Sequence, residues 1–127
     1  MVPEELRYTP EHEWVLISTD GTARVGITDY AQTQLGDVVH VQLPLVGDSV
    51  APGDPVGEVE STKSVSDVFA PVTGEVVACN DALEHSPGLV NSDPYGAGWM
   101  IEIKIADASE TGSLLGAEDY RGLIEQA

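Results

Sequence analysis

The chain has little positive charge. Its 127 residues contain 5 lysines and arginines against 22 aspartates and glutamates, which gives a formal net charge of −17. Nucleic acids and anionic membranes both attract proteins through a positive footprint, so this balance argues against either partner. We expect the chain to meet other proteins through their basic patches, although solubility alone would also explain the acidity.

The chain also lacks disulfide pairs and long apolar runs. Cys79 is the only cysteine, and it ends a predicted buried strand with no basic group nearby in sequence, so we expect a core residue rather than a nucleophile. No apolar stretch could span a bilayer, and residues 1–5 do not resemble a signal peptide. These absences favour a cytoplasmic protein, but an organellar form whose leader had been removed would look the same.

Signatures of catalytic and metal sites are absent as well. His12 and His85 have no second ligand at a useful spacing, and the sequence shows no glycine-rich phosphate loop, Cys/His cluster or Ser/His pair. Trp14, Phe69 and Trp99 lie in or beside predicted strands, so we expect them in the core. No metal site and no catalytic residue is predicted.

What the chain does contain is a series of short strands broken by glycine and proline. This pattern predicts one mostly β domain over residues 1–127, folded as a flattened β-sandwich. Alternation over residues 39–43 predicts that Val39 faces the core and His40 faces solvent. Ile101, Ile103 and Ile105 alternate in the same way within a predicted strand over residues 99–105.

Two helical regions interrupt the strands. Thr28 can cap a short helix over residues 28–35, and Gly36 follows as a typical terminating glycine. A helical tail is predicted over about residues 109–127, with Ser109 as a possible cap.

Lys63 is one of only two lysines, and it lies at the tip of a predicted hairpin over about residues 55–70. The other, Lys104, is an outward residue of a predicted strand. The acidic neighbours Glu60 and Asp67 favour the protonated amine, so Lys63 is a poor nucleophile by itself. A lone amine at a hairpin tip predicts an attachment point; the alternative is a charged turn residue that balances its acidic neighbours.

The spacing around Lys63 resembles the biotinyl/lipoyl carrier module. The matching residues are Gly47-Asp48-x-Val50, Gly53-Asp54, Gly57, Glu60-x-x-Lys63 and Ala70-Pro71-x-x-Gly74-x-Val76. Biotin carriers usually place methionines beside the lysine, whereas Thr62 and Ser64 stand here, which favours lipoate. Four further segments are similar to the H-protein family of the glycine cleavage system: His12-Glu13-Trp14-Val15, residues 36–44, Asn91-Ser92-Asp93-Pro94-Tyr95-Gly96-x-Gly98-Trp99-Met100, and Leu114-Leu115 with Tyr120.

This resemblance implies a barrel-sandwich hybrid fold and a shuttle rather than an enzyme, with lipoate in amide linkage on Lys63. The implied partners are glycine decarboxylase (P-protein), which loads an aminomethyl group, and aminomethyltransferase (T-protein), which passes the one-carbon unit to tetrahydrofolate. Dihydrolipoyl dehydrogenase (L-protein) would reoxidise the arm, and lipoate-attaching enzymes would modify the lysine. A monomer is the simplest state for a carrier that visits several enzymes.

A loaded arm, meaning the lipoyl group with its aminomethyl cargo, is labile in water. We therefore expect a groove with apolar walls and a carboxylate that holds the cationic amine. Glu13 and Asp67 are the main candidates, with Glu60 as a further contact. Their alternative roles are a solvated strand end for Glu13 and ordinary hairpin charges for Asp67 and Glu60.

Two other functions stay open on the sequence alone. The chain could be a lipoyl carrier or lipoate relay that serves 2-oxoacid dehydrogenases, or a non-carrier interaction domain with an unmodified Lys63. The segment around Trp99 and the C-terminal helices count against the dehydrogenase module, which is usually shorter and part of a larger chain.

Overall fold

The structure, a computed structural model, describes residues 2–126 and consists of two antiparallel sheets that do not close into a barrel. The predicted domain ends, residues 1 and 127, lie outside the described residues. One sheet has six strands in the order β1-β2-β3-β9-β8-β5, and the other has three in the order β4-β6-β7. The strands are β1 (Arg7–Tyr8), β2 (Glu13–Ile17), β3 (Thr22–Ile27), β4 (Val38–Gln42), β5 (Ser49–Val50), β6 (Pro55–Ser61), β7 (Val65–Phe69), β8 (Gly74–Cys79) and β9 (Ile101–Ile105). The predicted mostly β sandwich is confirmed.

Short helices connect and flank the sheets. They are α1 (Asp29–Leu35), α2 (Ala82–His85), α3 (Leu89–Ser92), a 3-10 helix (Ala108–Ser113) and α4 (Ala117–Glu125). The Thr28 hydroxyl accepts a hydrogen bond from the Ala31 N–H at 3.2 Å, which caps α1 as the sequence predicts. The cap of the 3-10 helix is Asp107 rather than Ser109, because the Asp107 carboxylate accepts the Ser109 N–H at 3.0 Å. No helix within residues 2–126 is both long and apolar enough to cross a membrane.

Two apolar clusters form the interior. The larger one fills the space between the sheets, and a smaller one packs α4 against β1 and β2. The members of the smaller cluster are Leu6, Tyr8, Trp14, Ala117 and Tyr120. Cys79 packs at the edge of the larger cluster, where its thiol donates to the Pro44 carbonyl and burial raises its pKa, as expected for a core thiol rather than a nucleophile.

Two strand predictions need correction. Val39 is 50% exposed, because an irregularity in the β4–β6 pairing between Val38 and His40 interrupts the alternation and leaves Val38 as the inward residue. The strand predicted over residues 99–105 begins only at Ile101, after a bend that leaves Trp99 half-buried. His40 is exposed, as predicted.

Candidate functional site

A turn organised by one serine presents Lys63. The backbone N–H groups of Lys63 and Ser64 both donate to the Ser61 hydroxyl at 3.1 Å, and the Ser61 N–H donates to the Ser64 carbonyl at 2.8 Å. A bond of 3.1 Å from the Thr62 N–H to the Asp37 carbonyl ties the turn to the segment after α1. The turn is therefore held from within and from one side, while the Lys63 side chain is exposed.

The Lys63 side chain lies across Gly36, the residue that ends α1. A Cβ atom added to Gly36 would come within 2.9 Å of Lys63 Cε, and Gly36 has a φ of +81°, which favours glycine. The Asn91 amide fixes this corner, since it donates to the Gly36 carbonyl at 2.9 Å and accepts the Val38 N–H at 2.8 Å. Glycine at this position thus leaves room for the lysine stem.

A cleft of about 430 Å³ begins beside this turn and runs between α1 and β7. Its walls combine polar and apolar side chains. The apolar lining consists of Ile27, Ala31, Leu35, Val59, Val65 and Val68. The volume falls in the range of small-molecule sites, and Val65, which is 57% exposed, forms part of the wall next to the turn.

The cleft has two distinct ends. At one end, Gly36 and the C-terminus of α1 meet Lys63. At the other end, the N-terminus of α1 and the C-terminus of β7 meet the start of β2. The ring centroids of Tyr30 in α1 and His12, just before β2, lie 4.8 Å apart. The Phe69 N–H at the end of β7 donates to Glu13 at 3.3 Å. Lys63 and the buried carboxyl group of Glu13 therefore lie at opposite ends of one groove.

Glu13 is buried, with 1% of its surface exposed. The Thr9 hydroxyl donates to its Oε1 at 2.5 Å, and the Phe69 N–H reaches Oε2. Burial raises the pKa of Glu13 to about 7, although these hydrogen bonds oppose the shift. The interpretation of Glu13 as a solvated strand end is wrong, since this carboxyl group is held inside the cleft in a low-dielectric setting.

The three candidate carboxylates do not all come together. Asp67 is exposed on β7 and lines the cleft together with Glu13. Glu60 is exposed on β6 opposite His40 and Val65, and it is not among the residues that line the cleft. The geometry therefore brings Asp67 and Glu13, but not Glu60, to the cleft beside the Lys63 turn.

Sequence reasoning missed His12 as part of this site. His12 lines the cleft, adopts a φ of 74°, and lies with Nδ1 at 2.8 Å from the Tyr120 hydroxyl. Burial lowers its pKa. Its partner lies 108 positions along the chain, so no local pattern could have revealed the contact. Trp14, Phe69 and Trp99 do not line the cleft, and residues 2–126 contain no group of three or more side chains that could hold a metal.

Comparison with known proteins assigns the family. The family model described as "Glycine cleavage H-protein" matches residues 6–127. The chain belongs to this family. Similar relatives are the glycine cleavage system H proteins of Mycolicibacterium smegmatis, 59% identical over 128 residues, and of Kocuria rhizophila, 57% identical over 125 residues; each match covers 98% of both chains.

The solved structures agree with this family. The crystal structure of a glycine cleavage system H protein from Mycobacterium marinum matches with a TM-score of 0.90 and 44% identity, covering 98% of this chain and 99% of that one. The predicted resemblance is confirmed, and the chain has the role of its family, that of a carrier in the glycine cleavage system.

Proposed function

We propose that Lys63 bears lipoate in amide linkage and that the chain itself catalyses nothing. It shuttles the aminomethyl group derived from glycine from P-protein to T-protein, and L-protein then reoxidises the arm. The observation that carries this proposal is the position of Lys63 on an ordered, exposed turn at the mouth of a cleft whose far end holds Glu13. When bound, lipoate supplies a disulfide that accepts the aminomethyl group and two electrons.

The dimensions of the cleft suit such an arm. Strand geometry places the Asp67 backbone about 13 Å and the Phe69 backbone about 20 Å from Lys63. An extended lipoyl-lysine side chain reaches on the order of 15 Å from its Cα at ordinary bond lengths. The tip of the arm would come level with Asp67 and approach Glu13, with apolar side chains such as Ala31 and Val65 along its path.

The buried carboxyl suits a cationic cargo. Ionised Glu13 has no compensating positive charge in this setting, which is why burial raises its pKa to about 7. An ammonium group that enters the cleft would supply that charge and donate a charge-assisted hydrogen bond to Glu13. Asp67, which is exposed, would add a weaker, solvent-screened attraction near the middle of the path.

The partners are expected to work on the same turn. P-protein, T-protein, L-protein and the lipoate-attaching enzymes must each reach Lys63, and we propose that a monomeric, cytoplasmic chain presents it to all of them in turn. A tethered group reaches each active site at a high effective concentration, so weak and brief docking is enough. The net charge of −17 would favour basic surfaces around those active sites.

An exchange assay tests the proposal. P-protein with glycine and labelled bicarbonate should exchange label rapidly in the presence of the lipoylated chain and only at background with the same chain before lipoylation. Equal exchange with both forms would contradict the carrier role of the lysine, because the modification would then contribute nothing.

A further inference from the structure

The C-terminal helix α4 is connected to the cleft by a short chain of hydrogen bonds. The Tyr120 hydroxyl lies 2.7 Å from the Thr28 hydroxyl and 2.8 Å from His12 Nδ1. Thr28 and Tyr120 are fully buried, whereas His12 lines the cleft. Tyr120 of α4 therefore contacts the wall of the cleft through one side chain, that of His12.

The donors and acceptors of this network fix its direction. The Thr28 oxygen already accepts the Ala31 N–H, and within residues 2–126 the only acceptor in reach of the Thr28 hydroxyl proton is the Tyr120 oxygen. A buried hydroxyl proton without an acceptor is costly. We therefore expect Thr28 to donate to Tyr120, and Tyr120 to donate its own proton to His12 Nδ1. That direction would place the imidazole proton on Nε2 and keep the ring neutral.

We propose that Tyr120 is a positioning residue for the loaded arm: its hydroxyl holds His12 as the neutral Nε2–H tautomer beside Glu13. The proposal rests on the proposed function, since it concerns the wall against which the arm lies. A cationic amine needs Glu13 free of other cations. An imidazolium at His12 would compete for that carboxylate and repel the amine.

The surroundings of His12 act on its protonation in both directions. Glu11 precedes it, Glu13 follows it, and Asp67 lines the same cleft from β7. Tyr30 of α1 packs on its ring at 4.8 Å, and Tyr120 of α4 contacts it edge-on at 5.7 Å. Burial lowers the pKa of His12, and the Glu11 carboxylate opposes that shift. The Tyr120 hydroxyl adds the one specific bond that requires an unprotonated Nδ1.

The chain provides a matched control. Tyr8 stacks on Tyr120 with ring centroids 4.6 Å apart, is equally buried, and donates its hydroxyl to the Pro3 carbonyl at 2.7 Å. Tyr8→Phe and Tyr120→Phe each remove one buried hydroxyl from the same stack. Only Tyr120→Phe removes the partner of His12, so a difference between the two variants isolates that contact from general loss of stability.

The first measurement is the tautomer of His12 by nitrogen NMR, which needs no lipoyl group. Wild type and Tyr8→Phe should show a neutral ring protonated at Nε2, and Tyr120→Phe should show a mixture of tautomers and a higher pKa. A wild-type ring protonated at Nδ1, or a Tyr120→Phe spectrum identical to that of wild type, would overturn the proposal. The wild-type result stands even if the variant fails to fold.

The second measurement is the lifetime of the loaded arm at pH 7, followed by mass spectrometry on lipoylated protein. Tyr120→Phe should shorten it about fivefold, the effect of one hydrogen bond, and Tyr8→Phe should leave it unchanged. A changed tautomer with an unchanged lifetime would overturn the positioning role. Failure of the proposed function would look different, since Lys63 would then carry no lipoyl group in any of the three proteins.

Discussion

The two lysines of this chain occupy two different kinds of surface. Lys63 and Lys104 are both exposed, so accessibility to solvent does not separate them. Lys104 lies within β9, paired with Thr22 of β3 on one side and Glu75 of β8 on the other, so its backbone is closed in by neighbouring strands. Lys63 stands at the turn between β6 and β7, so its backbone is not enclosed by paired strands. The proposed attachment site thus combines an exposed amine with a protruding turn.

The regions beneath the two lysines differ as well. Beside Lys104 in β9 lies the fully buried Ile103, which packs in the sealed core between the sheets. Beside Lys63 a cleft opens that ends at Glu13. A group attached to Lys104 would extend into water, whereas a group attached to Lys63 would have a partly apolar groove with a carboxyl group to lie in.

The largest expected effect comes from exchanging each lysine in turn. Lys63→Arg keeps the charge but removes the amine that forms the amide, so glycine breakdown in a reconstituted system should fall to background. Lys104→Arg should retain wild-type rates. Substantial activity of Lys63→Arg would break the distinction between the two lysines.

Glu13→Gln should have the next largest effect and tests whether the cleft matters beyond the turn. Loss of a charge-assisted hydrogen bond to the amine should shorten the lifetime of the loaded arm about tenfold or more. Glu60→Gln is the control, since Glu60 is exposed and does not line the cleft. Equal lifetimes for the two variants would remove Glu13 from the site.

The same substitution should also show how much the buried carboxyl group lowers the stability of the fold at high pH. The pKa of Glu13 is raised to about 7, so wild type loses stability as the pH rises from the unfolded value of 4.5 through 7. Glu13→Gln does not titrate. Its free energy of unfolding minus that of wild type should therefore be about 2 kcal/mol larger at pH 8 than at pH 5, meaning that the variant gains relative stability as the pH rises. Urea titrations at the two pH values measure the difference, and a pH-independent difference would contradict the shifted pKa.

Asp67→Asn should have the smallest effect. Asp67 lies along the cleft but is exposed, so water screens its attraction for the amine. We expect the loaded arm to decay about twofold faster, measured by the same mass-spectrometric assay. An effect as large as that of Glu13→Gln would mean that Asp67, rather than the buried carboxyl, holds the cargo.

Local patterns revealed much of the fold and the attachment turn. The hairpin around Lys63, the capped helix that ends at Gly36 and the alternation of β9 depend on neighbours in sequence, and the structure contains all three. The exposure of Val39 escaped prediction because a pairing irregularity interrupts a regular alternation. Periodicity cannot show where an extra residue enters a strand.

The polar end of the cleft depends on contacts between distant segments. The buried Glu13 carboxyl group is held by Thr9 and by Phe69 of β7, and the bond from Phe69 spans 56 positions. The contact of His12 with Tyr120 spans 108 positions. The sequence could therefore nominate Glu13 as a candidate carboxylate, but it could not indicate that the residue is buried or that its pKa is raised.

Peptide mapping by mass spectrometry, on protein purified from its own cells, tests the central claim most directly. The account predicts a lipoyl-sized mass increment on the peptide that contains Lys63 and none on the peptide that contains Lys104. An unmodified Lys63, or a lipoyl group on Lys104, would contradict it.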